Sequence, residues 1–327
     1  MKKILILTGD NDLSSTNVMK WLYHLDKSVA VIRVNTEELF EKYNIKQEKI
    51  DSPIFFFKED MQFSTDSVSV MWSWKLVQSN NFIKQKMGLS PTIVNRINSN
   101  IKDEQNAFFQ YLLYNLDSYG CSWLNRFSVQ ELNKLEQLHI ANKIGLKTPP
   151  TFLKTKLDNQ DLDSTIITKP ISDCISINID GSAYKTFTSK VNENDANKEF
   201  LISLFQQEIN KELELRVFYL DKKCYTVAIL SQSDSQTSVD FRNYNYSNPN
   251  RIEYYDLPEE VCEKIELFME HFGLTMGSLD FILDKQGNYI FLEVNPSGQY
   301  GFFHHCNIYP DKLIAEYLLK KHYESNN

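Results

Sequence analysis

The stretch Ser278-Leu279-Asp280-Phe281-Ile282-Leu283-Asp284-Lys285-Gln286-Gly287-Asn288-Tyr289-Ile290-Phe291-Leu292-Glu293-Val294-Asn295-Pro296-Ser297-Gly298 decides how this chain is read. Residues 281–283 and 289–294 are short apolar runs, and the polar group 284–288 between them is turn chemistry, which predicts a β-hairpin. Side chains two apart on a strand share a face, so Glu293 and Asn295 stand side by side. Asp280, at the start of the partner strand, comes alongside them. Two carboxylates and an amide oxygen are hard ligands suited to Mg²⁺, which keeps some waters and takes other ligands from a nucleotide's phosphates. The alternative is a surface hairpin that happens to carry acids. The apolar flanks favour buried strands, where acids need partners, and so favour the metal.

Outward from the hairpin, size and composition narrow the function classes. A chain of 327 residues is long enough for two or three packed subdomains. Its most apolar stretches, 4–7, 54–57 and 289–292, fall far short of the about 18 apolar residues a membrane helix needs, so no membrane role is expected. Residues 1–9 carry positive charge and then apolar residues, but the run stops too soon for a signal peptide; it predicts the first strand of an α/β unit. With 35 Lys plus Arg against 43 Asp plus Glu, the net charge is -8 and no basic tract stands out. That argues against sequence-independent binding to nucleic acid. Five cysteines, Cys121, Cys174, Cys224, Cys262 and Cys306, are scattered without a Cys-x-x-Cys pair. The pattern fits free thiols in a reducing cytoplasm better than a disulfide framework or structural zinc. In His304-His305-Cys306, adjacent side chains point apart, which disfavours a soft-metal site.

The first third alternates strand and helix signals: strands at 3–7, 29–34, 54–57 and 66–75, and helices at 14–25 and 107–116. Thr8-Gly9-Asp10-Asn11-Asp12 matches neither a Walker loop nor a dinucleotide fingerprint, so this region reads as a scaffold and part of a substrate cleft. From Ser128 the texture changes. A helix is expected over 129–144, with a capping box at Ser128 and Glu131 and a C-cap at Gly145. Pro149-Pro150 forces an extended chain into 151–153. A short strand follows at 166–170, then a hairpin at 175–188, a helix at 199–205, paired strands at 213–220 and 225–230, a polar active-site loop at 231–250 and a helix at 258–272.

A triphosphate needs more than Mg²⁺ to neutralise it, which draws attention to Lys134 and Lys169. Each alone is weak evidence, since most lysines are solvated surface groups. Their order is the stronger signal: the helix Lys134, a Gly-Leu turn, Pro149-Pro150-Thr151, Thr168-Lys169-Pro170, Gln207-Glu208, then Asp280 and Glu293-Val-Asn295 together resemble the ATP-grasp superfamily. More closely, the sequence resembles the ATP-grasp peptide maturases of the graspetide (microviridin-type) synthetases, grasp-with-spasm group. That resemblance rests on Asn125, Lys134-Leu-Glu-Gln-Leu138, Gly145-Leu146, Thr168-Lys169-Pro170, Glu214-Leu-Arg216, Asp240-Phe-Arg242 and Glu293-Val-Asn-Pro-Ser-Gly-Gln299. The run Ser69-Val-Met-Trp-Ser-Trp-Lys75 is similar to a Trp- and Arg-rich strand of that family, with Lys75 where Arg is expected. Lys cannot grip a carboxylate bidentately as Arg does.

The resemblance implies an α/β (α+β) ATP-grasp fold: an N-terminal pre-ATP-grasp domain at 1–124, a small central subdomain at 125–206 and a C-terminal mixed-sheet subdomain at 207–327. It implies ATP between the last two, with Lys134 and Lys169 on the phosphates and Gln207, Glu208 and Ile209 at the adenine. Mg²⁺ falls to Asp280, Glu293 and Asn295, and Arg216 and Arg242 become the grips for the acceptor carboxylate and its acyl phosphate. Read from their surroundings, Arg216 has the alternative of a salt bridge with Glu212 or Glu214, and Arg242 that of a solvated loop charge. The partner implied is a ribosomal precursor peptide, leader plus core, with the leader on the hairpin 175–188, for which simple cover of ATP is the alternative; the implied setting is cytoplasmic and homodimeric. The function implied is an ATP-dependent ligase forming ω-ester or ω-amide crosslinks between side chains of that precursor. An amino-acid ligase adding a free residue, or a non-catalytic nucleotide- and peptide-binding protein, are the competing readings. The full set of phosphate and metal residues counts against a mere binder.

Overall fold

Strand β1 (Lys3–Thr8) is apolar along its length because both of its faces are covered, and residues 4–7 are all fully buried. The computed structural model describes residues 2–76, 88–126, 132–162, 164–172, 176–179, 182–185, 188–192, 198–230 and 251–325. After β1, helix α1 (Leu13–Leu25) begins at Asp12, whose carboxylate accepts the Ser15 N–H at 2.6 Å. Then come β2 (Val31–Asn35), a short helix α2 (Leu39–Lys42), and the strands β3 (Asn44–Lys46), β4 (Phe55–Lys58) and β5 (Met61–Ser64), which form a small antiparallel sheet. Strand β6 (Val68–Trp74) is buried at every position. Helix α3 (Pro91–Ser118), with Ser90 as N-cap and Pro91 in its first turn, is much longer than the segment 107–116 expected, and β7 (Ser122–Leu124) follows it. A parallel sheet in the order β2-β1-β6-β7 results. Leu5, Leu7, Val34, Met71 and Leu116 make a core on one of its faces, joined by the stacked pair Phe56 and Phe63.

Residues 128–310 form a second compact unit. Helix α4 (Lys134–Ile144) starts five residues later than the expected 129, because Asn133 is its N-cap: the Asn133 side chain accepts the N–H groups of Leu135 and Glu136. Ser128 and Glu131, the expected capping box, lie outside the described residues. The helix ends on Gly145 at φ +88°, a left-handed position that suits glycine. Strands β8 (Thr151–Lys156) and β9 (Ile166–Lys169) precede the hairpin β10 (Ser176–Ile179) and β11 (Ser182–Lys185), then β12 (Ser189–Lys190) and β13 (Glu199–Gln207). The helix expected over 199–205 is therefore a strand. Phe200, Ile202 and Phe205 suit a pleated surface, and pairing with β8 and β9 on its two sides decides against the helix. The sheet order is β12-β9-β13-β8.

The larger sheet of this unit runs β16-β15-β14-β17-β18 and is antiparallel throughout. It is built from β14 (Lys211–Leu220), β15 (Lys223–Leu230), β16 (Arg251–Tyr254), β17 (Met276–Asp284) and β18 (Tyr289–Asn295), with helix α5 (Glu259–His271) between β16 and β17. Leu215, Val217, Leu279, Phe281, Phe291 and Val294 turn one face onto Leu138 and Ala141 of α4 and Ile265, Phe268 and Met269 of α5. Alternation leaves the opposite face for Arg216 and Asp280. The polar segment 231–250 lies outside the described residues.

The last helix, α6 (Pro310–Glu324), belongs from Asp311 onward with residues 1–127. The Nδ1 atom of His322 lies 2.6 Å from the buried Ser69 hydroxyl on β6, Tyr323 hydrogen-bonds Asp26, and Lys312 sits over the Trp21 ring. No described helix is long and apolar enough to cross a membrane.

Candidate active site

Strand pairing alone aligns the charged side chains. Arg216 on β14 is the register partner of Asp280 on β17, and Asp280 is the register partner of Glu293 on β18. The three form a row across the sheet. Glu293 reaches it through a bulge: Asp280 pairs with Glu293 but Phe281 pairs with Phe291, so Leu292 is the extra residue. Without that slip, strict alternation from the buried Phe291 would carry Glu293 into the core.

The charges in this row are balanced. The Arg216 guanidinium and the Asp280 carboxylate form an ion pair, both side chains about 15% exposed, and Lys134 Nζ lies 3.6 Å from Glu293 Oε2. Lys134, the first residue of α4, also donates to the Ser172 carbonyl at 2.9 Å. Gln137, one turn on and buried, accepts the Val294 N–H at 2.8 Å and so ties α4 to β18 beside Glu293. At the end of β18 the chain turns back over β17. A Cβ on Gly298 would stand 2.6 Å from the Ser278 Cβ, so only glycine allows this approach.

The row borders an open cleft whose wall runs from Lys134 at the start of α4 and Lys169 on β9 across β14, β17 and β18. Of the residues expected to bind, Lys134, Lys169, Gln207, Ile209, Arg216, Asp280 and Glu293 line it. Glu208 is not among its lining residues; its carboxylate pairs with Lys190 at 2.7 Å. The backbone N–H groups of Gln207 and Glu208 are already donated, to Pro150 and Thr165. Asn295 is exposed, its side-chain oxygen accepting the Ser297 N–H at 3.0 Å, and it does not line the cleft either. Arg242 lies outside the described residues. The hairpin expected over 175–188 is present as β10 and β11.

Sequence reasoning missed Lys211 as a cleft residue and took Glu214 as part of a motif and as a salt-bridge alternative for Arg216, not as a cleft residue paired with Lys211. They form an ion pair, both largely buried, on the cleft wall. Glu214 lies two residues before Arg216 on one strand, a period-2 signal that would have found it. Ile167, Ile209, Ile282 and Leu292 add apolar surface suited to a planar ring.

The donor set fits Mg²⁺. The described cleft residues offer carboxylate oxygens and no histidine or cysteine, the choice of a hard cation. Among the described residues no three His, Cys, Asp or Glu side chains gather to hold a metal.

No protein-family model and no curated protein sequence matches the chain. Solved structures do. A Chryseobacterium gregarium RiPP-associated ATP-grasp ligase in complex with ADP, and a leader and core peptide, is 23% identical, with a TM-score of 0.81 over 98% of this chain and 97% of that one. The macrocyclase MdnC from Microcystis aeruginosa MRC, bound with precursor peptide MdnA, is 22% identical, with a TM-score of 0.77 over 97% of this chain and 99% of that one. The ATP-grasp ligase PsnB, complexed with a phosphomimetic variant of minimal precursor, Mg and ADP, is 17% identical, with a TM-score of 0.73 over 98% of this chain and 99% of that one. A likeness that spans both units at so low an identity is a likeness of architecture: this chain has the ATP-grasp fold, and its structural relatives include ligases and macrocyclases of ribosomally made peptides.

Proposed function

We propose that this protein is an ATP-dependent ligase that crosslinks side chains of a ribosomally made precursor peptide, activating Asp or Glu as an acyl phosphate that Ser, Thr or Lys then attacks. The observation that carries the reading is the row Arg216, Asp280 and Glu293 with Lys134 against it, on the wall of a cleft that Lys169, Gln207 and Ile209 also line. The likeness to ligases crystallised with ADP, Mg and precursor peptides supports it.

A carboxylate is a poor acylating agent and an acyl phosphate a good one, so the protein's task is to position and neutralise. Bound Mg²⁺ supplies charge neutralisation on the phosphates, and Asp280, Glu293 and Asn295 would hold it. Lys134 and Lys169 bring positive charge to the phosphates from α4 and β9. Gln207, Glu208 and Ile209 form the strip beside the base, where Ile209 contributes its side chain to the cleft and Glu208 is held by Lys190. Arg216 offers a planar fork to the acceptor carboxylate, with Arg242 as its proposed companion. In this reading residues 125–206 supply the phosphate lysines and dock the leader on β10 and β11, residues from 207 supply the acids and arginines, and 1–124 are the pre-ATP-grasp scaffold domain. The reaction belongs in the cytoplasm, where ATP and new peptides meet.

Mass spectrometry tests the proposal. Incubation with ATP, Mg²⁺ and a precursor peptide rich in Thr and acidic residues should remove the mass of one water per bond formed. Addition of a residue mass from a free amino acid would instead assign an amino-acid ligase, and no ATP-dependent change in any acidic peptide would overturn both.

A further inference from the structure

On the core side of the large sheet, away from the row of charges, a second cavity of about 410 Å³ opens between β15 and the start of α5. Cys224, Thr226, Tyr254, Tyr255, Leu257 and Cys262 contribute to its wall. Both cysteines are partly buried free thiols packed at the margin of the hydrophobic core, and they hydrogen-bond to each other. Thr226, two residues from Cys224 on the same strand face and 2% exposed, carries a buried hydroxyl with no hydrogen-bond partner. Such a group on a cavity wall is built to meet a polar ligand.

The two thiols are not equivalent. Cys262 lies in the first turn of the 13-residue helix α5, its N–H donated to the Pro258 carbonyl, where the helix dipole favours a thiolate. The Cys224 thiol donates to it and lowers its pKa, against the opposing effects of burial and of Asp256 and Glu259. Cys224 shifts the other way, upward, through the same hydrogen bond and its own burial. A metal is not the better reading, because among the described residues no third His, Cys, Asp or Glu joins them in a metal-holding group.

We propose that Cys224 and Cys262 are a redox-active dithiol that exchanges with a small disulfide of the oxidised-glutathione class. Cys262 thiolate attacks one sulfur of the disulfide, forming a mixed disulfide and releasing one thiolate. The Cys224 sulfur, losing its proton to solvent, then attacks the Cys262 sulfur and releases the second. The balance is one protein dithiol plus one disulfide giving one Cys224–Cys262 bond plus two small thiols. That bond straps β15 to α5, independently of the ligase reading.

The full-length protein, treated with oxidised glutathione and mapped by peptide mass spectrometry without reduction, tests this. Wild type should lose the mass of two hydrogens and yield a Cys224–Cys262 linked peptide, reversed by dithiothreitol. Cys224→Ser should instead stop at a glutathione adduct on Cys262, and Cys262→Ser should leave Cys224 unmodified. Alkylation of wild type at neutral pH should label Cys262 at least about tenfold faster than Cys224. Absence of the linked peptide in wild type, which needs no variant to fold, would overturn the proposal. So would stoichiometric zinc binding that both serine variants abolish.

Discussion

The side-chain oxygen of buried Gln137 accepts the backbone N–H of Val294 at 2.8 Å, a contact 157 residues apart in sequence. It fixes the height at which Lys134, one turn earlier on α4, meets Glu293, the residue before Val294. Gln137→Leu removes the acceptor and leaves a buried N–H without a partner, which should cost about 1–3 kcal/mol. Urea denaturation should show a lower midpoint at an unchanged slope. A variant as stable as wild type would mean that this contact does not hold the helix to the strand.

Asp280→Asn and Glu293→Gln keep shape and remove charge. If these acids hold Mg²⁺, each should lower peptide turnover by about 10²-fold or more while the circular dichroism spectrum stays native. Excess Mg²⁺ should recover part of the loss. Full turnover in either variant would remove it from the metal site.

Arg216 is positioned by its ion pair with Asp280, and its planar fork is the property that matters for gripping a carboxylate. Arg216→Lys should leave ATP affinity within about threefold of wild type but lower crosslinking by about 10-fold or more. Nucleotide titration and product mass spectrometry separate the two effects. Equal loss of both would reassign Arg216 to the nucleotide.

Burial holds His322 below its ordinary pKa of 6.5, with Lys2 pushing the same way and Asp26 opposing. The unfolded chain therefore takes up a proton near pH 6.5 that the folded chain resists. Stability should be full above that pH and fall as pH drops through it toward the lower folded value. His322→Gln, which can still bond Ser69, should flatten that segment of a Tm-versus-pH curve. An unchanged curve would show that this histidine does not set it.

Gly298→Ala drives a Cβ onto the Ser278 Cβ, and should destabilise by about 1–3 kcal/mol. Ser278→Gly in the same chain removes the obstructing atom and should restore part of the loss. Thermal melts of the single and double variants decide it.

The hairpin strands at 281–283 and 289–294 and three strands of the parallel sheet, at 3–7, 29–34 and 66–75, were legible because turn chemistry and doubly buried apolar strands leave local marks, whereas β7 was not read and the strand at 54–57 belongs to the separate antiparallel sheet. The bulge at Leu292 was not legible. A six-residue apolar run at 289–294 carries no phase, and only pairing with β17 shows where the alternation slips. The strand at 199–207 was misread as a helix for a related reason: tertiary pairing on both sides outweighed a short local pattern. Lys134, Lys169 and Arg216, which line the cleft, were singled out through the resemblance to a known family. Lys211 sits beside them only because β14 runs along the cleft wall, a matter of packing that its neighbours in sequence do not announce. The docking of α6 was equally silent, since an amphipathic helix does not name the surface it will cover.

That docking orders events during synthesis. The first unit is interrupted in sequence, and its final helix is made only after residue 310, whereas residues 128–310 are contiguous. On an emerging chain the ATP-grasp half can close its core while β6 still lacks the histidine that packs on it. Maturation of the amino-terminal half thus waits until residues 311–324 have been made.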